Sequence, residues 1–425
     1  MKSVWRWKVV GFAVVSVGLL AGALTLAGQA AQTQSSDQSA PQAQPQGRGR
    51  GRGRGIAADD PAHPVMPIGS PAPTFNLPGI DGKNHTLSEY ANAKILLIVF
   101  ESNHCPASIG YEGRIRGLYE DYKDKGLQLV AINPNNASAV RLNELGYTDM
   151  TDSLPEMKVR ATYRHIDWPY VYDGETQATS SKFGVIATPH VFIFDHDRKL
   201  RYEGRIDDSL RESNVKTKDA RNAIEAMLAG QPVSVEKTRP FGCSTKWLDK
   251  ATGVEEEMAK IKSEPVTLQL AGADDLKQLR QSAGNDVLVV NFWSLHCKAC
   301  VAGFHDLETT NRMYRLRTFK YVTVSTDKPA DHDAVLSFLK EQYASNTNLQ
   351  FATTDKRALQ AAFGLKWNAN QPFTVVLGKD GSVIYQKQGS LDVLQLRRYV
   401  LANMPDNGDG FAGVQAFWKS VISAD

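Results

Sequence analysis

Four cysteines stand in the 425-residue chain, at positions 105, 243, 297 and 300. Their settings differ. "SLHCKACVAG", 294–303, carries two of them in a C-x-x-C spacing. "ESNHCPAS", 101–108, offers Cys105 alone, followed by a proline. Cys243 lies in "RPFGCSTKW", 239–247. A thiolate is the nucleophile of disulfide exchange, and a helix N-terminus lowers a thiol pKa through its unsatisfied N–H groups. In the C-x-x-C, Cys297 is therefore expected to attack and Cys300, one turn in, to resolve. His296 and Lys298 add positive charge beside Cys297. A zinc site would need four ligands, and there is no second C-x-x-C. A purely structural bridge is the other alternative.

The elements around these residues repeat. "KILLIVF", 94–100, and "VLVVNFW", 287–293, are unbroken apolar runs of strand length, each read as a buried strand leading to a cysteine. Tyr111, Ile115, Leu118 and Tyr122 follow the first at helical spacing; Phe304, Leu307 and Tyr314 follow the second. "LQLVAIN" and "FKYVTVS" read as the next strands. Each half then shows a proline-led strand, a turn and a partner strand, at 187–204 and 370–389, before a closing helix. Cys105 precedes Pro189 by 84 residues and Cys300 precedes Pro372 by 72, so the first copy is about a dozen residues longer. The fold class expected from these elements is α/β, in two repeated domains, each a central mixed sheet flanked by helices.

Composition bounds the rest. The chain is 42% hydrophobic and 22% charged with a formal charge of +3, which gives no global pointer to nucleic acid. Lys2, Arg6 and Lys8, an apolar run from Val9 to Ala27 and Gly28-Gln29-Ala30 read as a signal peptide over 1–30. The run is long enough that a retained membrane anchor is the alternative. Either way the bulk of the chain is expected outside the cytoplasm, periplasmic or secreted, where disulfides persist. Residues 31–62 are a Gln/Pro and Arg-Gly linker with little to bury. The domains are then expected at 63–247 and 265–405, with a charged spacer at 248–264 and a tail at 406–425.

Residues 265–405 resemble a TlpA-like thioredoxin domain, through "VNFWSLHCKAC" and through Pro372 at the position of that family's active-site cis-proline. The resemblance implies a thiol–disulfide oxidoreductase. Asn291 stands where thioredoxins proper keep a buried Asp, and Gly303 and His305 replace the family's Glu and Pro.

Residues 63–247 resemble a peroxiredoxin-like redoxin domain of the alkyl-hydroperoxide-reductase/thiol-specific-antioxidant type. "IGSPAPTFNLPGIDGKNHTL", "SNHCP", "KGLQLVAINPN", "TPHVFIFDHDRKLRYEGRIDD" and "GCSTKW" carry the likeness. It implies that Cys105 holds the inner position of the C-x-x-C frame and reduces peroxide, with the Ser102 hydroxyl in the outer position. Pro189 is implied as the cis-proline, and Arg160 or Arg164 as the peroxide-activating arginine. Cys243 is either a resolving thiol or a lone structural cysteine.

The function expected is an exported thiol–disulfide oxidoreductase whose C-x-x-C domain re-reduces the monothiol domain or an external client. Partners would be protein or small-molecule disulfides, hydroperoxides and an external thiol reductant; a membrane enters only if the N-terminal segment is retained. No cofactor and no metal are expected. The alternatives are a copper-handling or cytochrome-maturation protein, with His104, Cys105 and His190 as soft-metal ligands, and a non-catalytic binding scaffold.

Overall fold

The strand Ile95–Phe100 (β1) is buried at all six positions because both its faces are covered. In the computed structural model, which describes residues 60–281, 284, 286–364, 367–405 and 413–423, Leu97 and Val99 pack against Tyr111, Ile115 and Leu118 of helix Pro106–Tyr122 (α1). Leu96, Ile98 and Phe100 point the other way, toward Phe75, Phe183 and Phe192. Truncating one of these side chains to alanine costs about 2–5 kcal/mol. Leu127–Asn133 (β2) and Tyr170–Tyr172 (β3) extend the sheet in parallel on one side. His190–Phe194 (β4) and Leu200–Gly204 (β5) add antiparallel on the other, giving the order β3-β2-β1-β4-β5. Helix Leu154–Arg164 (α2) lies in the segment between β2 and β3.

The second domain repeats the plan with six strands. They are Gln269–Ala271 (β6), Val287–Trp293 (β7), Phe319–Ser325 (β8), Thr347–Phe351 (β9), Phe373–Leu377 (β10) and Val383–Gln388 (β11). Their order is β6-β9-β8-β7-β10-β11, with β10 and β11 the antiparallel members. Helix Thr252–Ser263 (α3) precedes the sheet, and Lys298–Tyr314 (α4) follows β7 as α1 follows β1. Val393–Asn403 (α5) closes the domain. The bonds Thr188–Pro189 and Gln371–Pro372 are both cis.

The two domains share a core. Ile109, Val140, Leu145 and Tyr147 of the first cluster with Leu307, Met313, Tyr314 and Leu396 of the second. The final segment, expected to be a tail, departs from that expectation. Val414–Ile422 (α6) is a helix whose fully buried Trp418 joins this core. Its spacing, with Val414, Trp418 and Val421 buried on one face, is helical and was legible in "VQAFWKSVI". The signal segment 1–30 and the linker up to residue 59 lie outside the described residues. Among the described residues no helix is long and apolar enough to cross a membrane.

Candidate functional site

The turn after β7 is held by one buried carboxylate. Asp327 accepts Ser294 Oγ at 2.7 Å, the Leu295 amide at 3.0 Å and Ser325 Oγ at 2.8 Å. Cys297 then caps α4: its Sγ accepts the Cys300 amide at 3.1 Å, and the two sulfurs form a disulfide. Cys300 is buried and Cys297 is part-exposed. A cavity of about 270 Å³ opens beside Cys300, lined by Asn291, Gly303, Pro372, Thr374 and Leu391 among others. The Asn291 carboxamide oxygen is occupied by the Thr374 hydroxyl at 3.1 Å. His305 lies two residues past the cavity-lining Gly303. Farther along α4, burial pushes the Glu308 carboxyl up to about 8, with the charges of Arg312 and Arg315 opposing.

Sheet register relates the two cysteine sites. Phe100 of β1 pairs with His190, the residue after Pro189; Phe292 of β7 pairs with Phe373, the residue after Pro372. Phe100 and Phe292 are therefore equivalent. Cys105 lies five residues beyond the first and Cys297 five beyond the second. Each is the N-cap of its helix. This corrects the frame taken from the resemblance. Cys105 holds the outer position, Ser108 stands in the place of Cys300, and Ser102 matches Ser294. The ungapped likeness of "SNHCPAS" to "SLHCKAC" carried that signal. Ser102 Oγ bonds to Thr188 Oγ1 at 3.1 Å, and its amide donates to Ser108 Oγ at 3.3 Å.

Cys105 is fully buried, and its Sγ lies 3.0 Å from the Thr188 carbonyl. Cys243 arrives from more than a hundred residues downstream. A two-residue antiparallel bridge pairs it with Thr188, and its amide donates to Cys105 Sγ at 3.4 Å. The approach needs Gly242, at φ +157°, because a Cβ there would lie 2.0 Å from the Thr188 oxygen. Burial pushes the Cys105 thiol up, but the Cys243 thiol, the charge on His104 and the amides of Ser108 and Cys243 together bring it below the usual thiol range. The hydrogen bond to Cys105 and burial hold the Cys243 thiol well above that range. Cys105 at a helix start beside His104 is thus the thiolate, and Cys243 keeps the proton. In its thiol form Cys105 donates instead to Thr188.

His104 Nδ1 is hydrogen-bonded to Asp152, a buried residue that sequence reasoning missed. Burial opposes charge on the imidazole, yet Asp152 outweighs it and the pKa rises. Neither candidate arginine binds the sulfur. Arg160 Nη2 and Arg164 Nε grip Glu112 at 3.0 and 2.9 Å, and both guanidinium groups stack on Phe417 of α6. The soft-metal alternative is not assembled either. His190 shares the face of Phe192, away from α1, and its Nε2 bonds Glu203 at 2.9 Å. Among the described residues, the one group of three metal-ligating side chains with converging atoms is His296, Asp327 and Asp331. The Asp327 oxygens in it are already occupied by Ser294, Leu295 and Ser325.

The Redoxin family profile matches residues 67–223 and 259–397, one stretch in each domain. The chain belongs to the Redoxin family. It is a tandem thioredoxin-fold redoxin, with one redoxin stretch in each half. A hypothetical protein from Sinorhizobium meliloti is 31% identical over 43% of this redoxin and 96% of its own chain, with a TM-score of 0.38. An uncharacterized conserved protein from Geobacillus kaustophilus is 34% identical over 43% and 93%, with a TM-score of 0.39. A peroxidoxin from Mycobacterium tuberculosis is 18% identical over 39% and 95%, with a TM-score of 0.27. No curated protein matches the chain.

Proposed function

We propose that this redoxin is an exported thiol–disulfide oxidoreductase with two nucleophilic cysteines of different reach. The observation that carries the reading is the shared placement of Cys105 and Cys297, each capping the helix that follows a buried strand. In the second domain, the Cys297 thiolate attacks a client disulfide. A mixed disulfide forms and one client thiolate leaves. Cys300 then attacks Cys297 Sγ, which releases the client as a dithiol and leaves the Cys297–Cys300 bond. An external thiol reductant returns both cysteines to thiols. The part-exposed Cys297 and the cavity beside Pro372 support docking of an extended client segment.

The first domain runs the same chemistry with a remote partner. Complete burial of Cys105 favours a small oxidant over a folded protein. On this reading the Cys105 thiolate attacks a hydroperoxide, the O–O bond breaks, an alcohol or water leaves, and a sulfenic acid remains. The Cys243 thiol condenses with it, losing water, and a Cys105–Cys243 disulfide results. Cys243 is part-exposed and is the sulfur a reductant reaches. That reductant is Cys297 of the same chain or an external thiol.

The test is peroxide consumption and insulin-disulfide reduction by the full chain and its Cys→Ser variants. Insulin reduction that survives Cys297→Ser overturns the second-domain assignment. Metal copurifying in stoichiometric amount favours the copper-handling alternative, and unreactive cysteines favour a binding scaffold. Export has its own test: N-terminal sequencing is expected to find the mature chain starting near Ala31.

A further inference from the structure

Both domains place a buried carboxylate over the turn that precedes the outer cysteine, but from different parts of the chain. Asp327 lies two residues past β8 and accepts the Leu295 amide. The equivalent of Asp327, two residues past β2, is Asn135. There the carboxylate is Asp152, from an irregular strap farther on. It accepts the Asn103 amide at 2.7 Å, the His104 amide at 3.3 Å, Asn133 Nδ2 at 3.2 Å and Asn135 Nδ2 at 2.9 Å, besides the His104 ring.

The strap leading to Asp152 is gripped by the other domain. Four consecutive backbone carbonyls each accept from a second-domain side chain. Gly146 takes Arg317 Nη1 at 2.7 Å, Tyr147 takes Trp418 Nε1 at 2.9 Å, Thr148 takes Tyr314 Oη at 2.8 Å and Asp149 takes Arg397 Nη1 at 2.9 Å. Arg398 Nε adds a bond to the Asp149 carboxylate at 2.9 Å. Buried backbone carbonyls outside regular structure need such partners, and here the second domain supplies them.

We propose that Asp152 is the positioning residue of the Cys105 thiolate, acting through His104, and that the second domain holds Asp152 in place. The charge state of the first domain's thiol then depends on the fold of the second. This rests on the reading of Cys105 as a nucleophile. His104, hydrogen-bonded to Asp152, is the cation whose charge favours the Cys105 thiolate. The other ionisable groups facing the site are Cys243, Lys246 and Glu144.

The experiment measures the pH titration of Cys105 by ultraviolet thiolate absorbance, as the difference between each protein and its Cys105→Ser version. The full chain is used, with Cys297→Ser and Cys300→Ser throughout. Asp152→Asn is expected to raise the midpoint by about one pH unit or more, a tenfold smaller thiolate fraction below the midpoint. Tyr314→Phe with Trp418→Phe keeps an aromatic ring at each position, with a smaller one at 418, and removes two strap bonds. It is expected to raise the midpoint in the same direction by a smaller amount, with Asp152→Glu restoring part of the Asp152→Asn loss. An unmoved midpoint in Asp152→Asn overturns the proposal. A midpoint moved by Asp152→Asn but not by the double variant overturns the role of the second domain. A parent midpoint at or above the ~8.5 of free cysteine overturns the nucleophile reading itself.

Discussion

Cys105 and Cys297 hold equivalent positions, but their partners differ. Cys300 is one helical turn away, whereas Cys243 is brought in by a two-residue bridge that tolerates only glycine beside it. Cys297→Ser is expected to abolish disulfide reduction by the second domain, and Cys300→Ser to accumulate mixed disulfides, read by mass spectrometry after reaction with a client. If Cys300 proves the more rapidly alkylated thiol in the reduced protein, the roles are reversed. Gly242→Ala should lift residue 243 away from Thr188 at a cost of about 1–3 kcal/mol in backbone strain. Peroxide-treated Cys105 should then be trapped as a sulfenic acid by dimedone instead of closing on Cys243. A full yield of disulfide in that variant would contradict the close approach. The pH sign follows from the direction of the Cys105 shift. A folded-state pKa below the unfolded value contributes stability above the unfolded pKa, and this is lost as pH falls through the folded one. Cys105→Ser should therefore remove a rise in stability between about pH 5 and the ~8.5 of an unfolded cysteine.

The element scale decides what a sequence can reveal. The buried strands, the presence of Cys105 and of the C-x-x-C, and both prolines stand in runs whose period and neighbours are local, and these were readable from "KILLIVF", "VLVVNFW", "NHCP", "LHCKAC", "TPH" and "QPF". Asp152 was not, because its role depends on a strap with no periodicity, folded back 48 residues onto His104. The Cys105 frame was misread for a related reason: the family pattern supplied a hydroxyl at Ser102, while register pairs Cys105 with Cys297. Arg160 and Arg164 have suitable positions along the chain, but α2 turns both onto Glu112. Helix α4 carries another residue whose behaviour comes only from packing. Glu308 is held neutral to about pH 8, while an unfolded glutamate ionises near 4.5. The unfolded state then binds fewer protons, so stability falls as pH rises between these values, by up to about 1.4 kcal/mol per unit. Glu308→Gln is expected to remove that slope in urea titrations at pH 5, 6, 7 and 8. An unchanged slope would show that Glu308 ionises freely in the fold.

At the scale of the molecule, the tandem is one packed body over its redoxin halves, closed by a last helix that carries Trp418 into the shared core. Cys297 begins a 17-residue helix about 25 Å long whose far end, at Tyr314, meets the first domain. Transfer from Cys297 to the Cys105–Cys243 pair therefore has to span that packing or proceed between chains. In the Cys300→Ser protein, the two routes appear as links within one chain or between two, separable by non-reducing electrophoresis. Deleting residues 406–425 removes Val414, Trp418 and Val421 from the shared core and should lower stability by more than the about 3–5 kcal/mol of one buried tryptophan; an unchanged melting temperature would contradict the packing of α6. The central claim is that Cys105 is a nucleophile resolved by Cys243. Its most direct measurement is peptide mapping of the Cys297→Ser/Cys300→Ser chain after one equivalent of hydrogen peroxide. The account predicts a Cys105–Cys243 disulfide within one chain as the main product. A Cys105 that remains a free thiol, or one over-oxidised while Cys243 stays reduced, would contradict it.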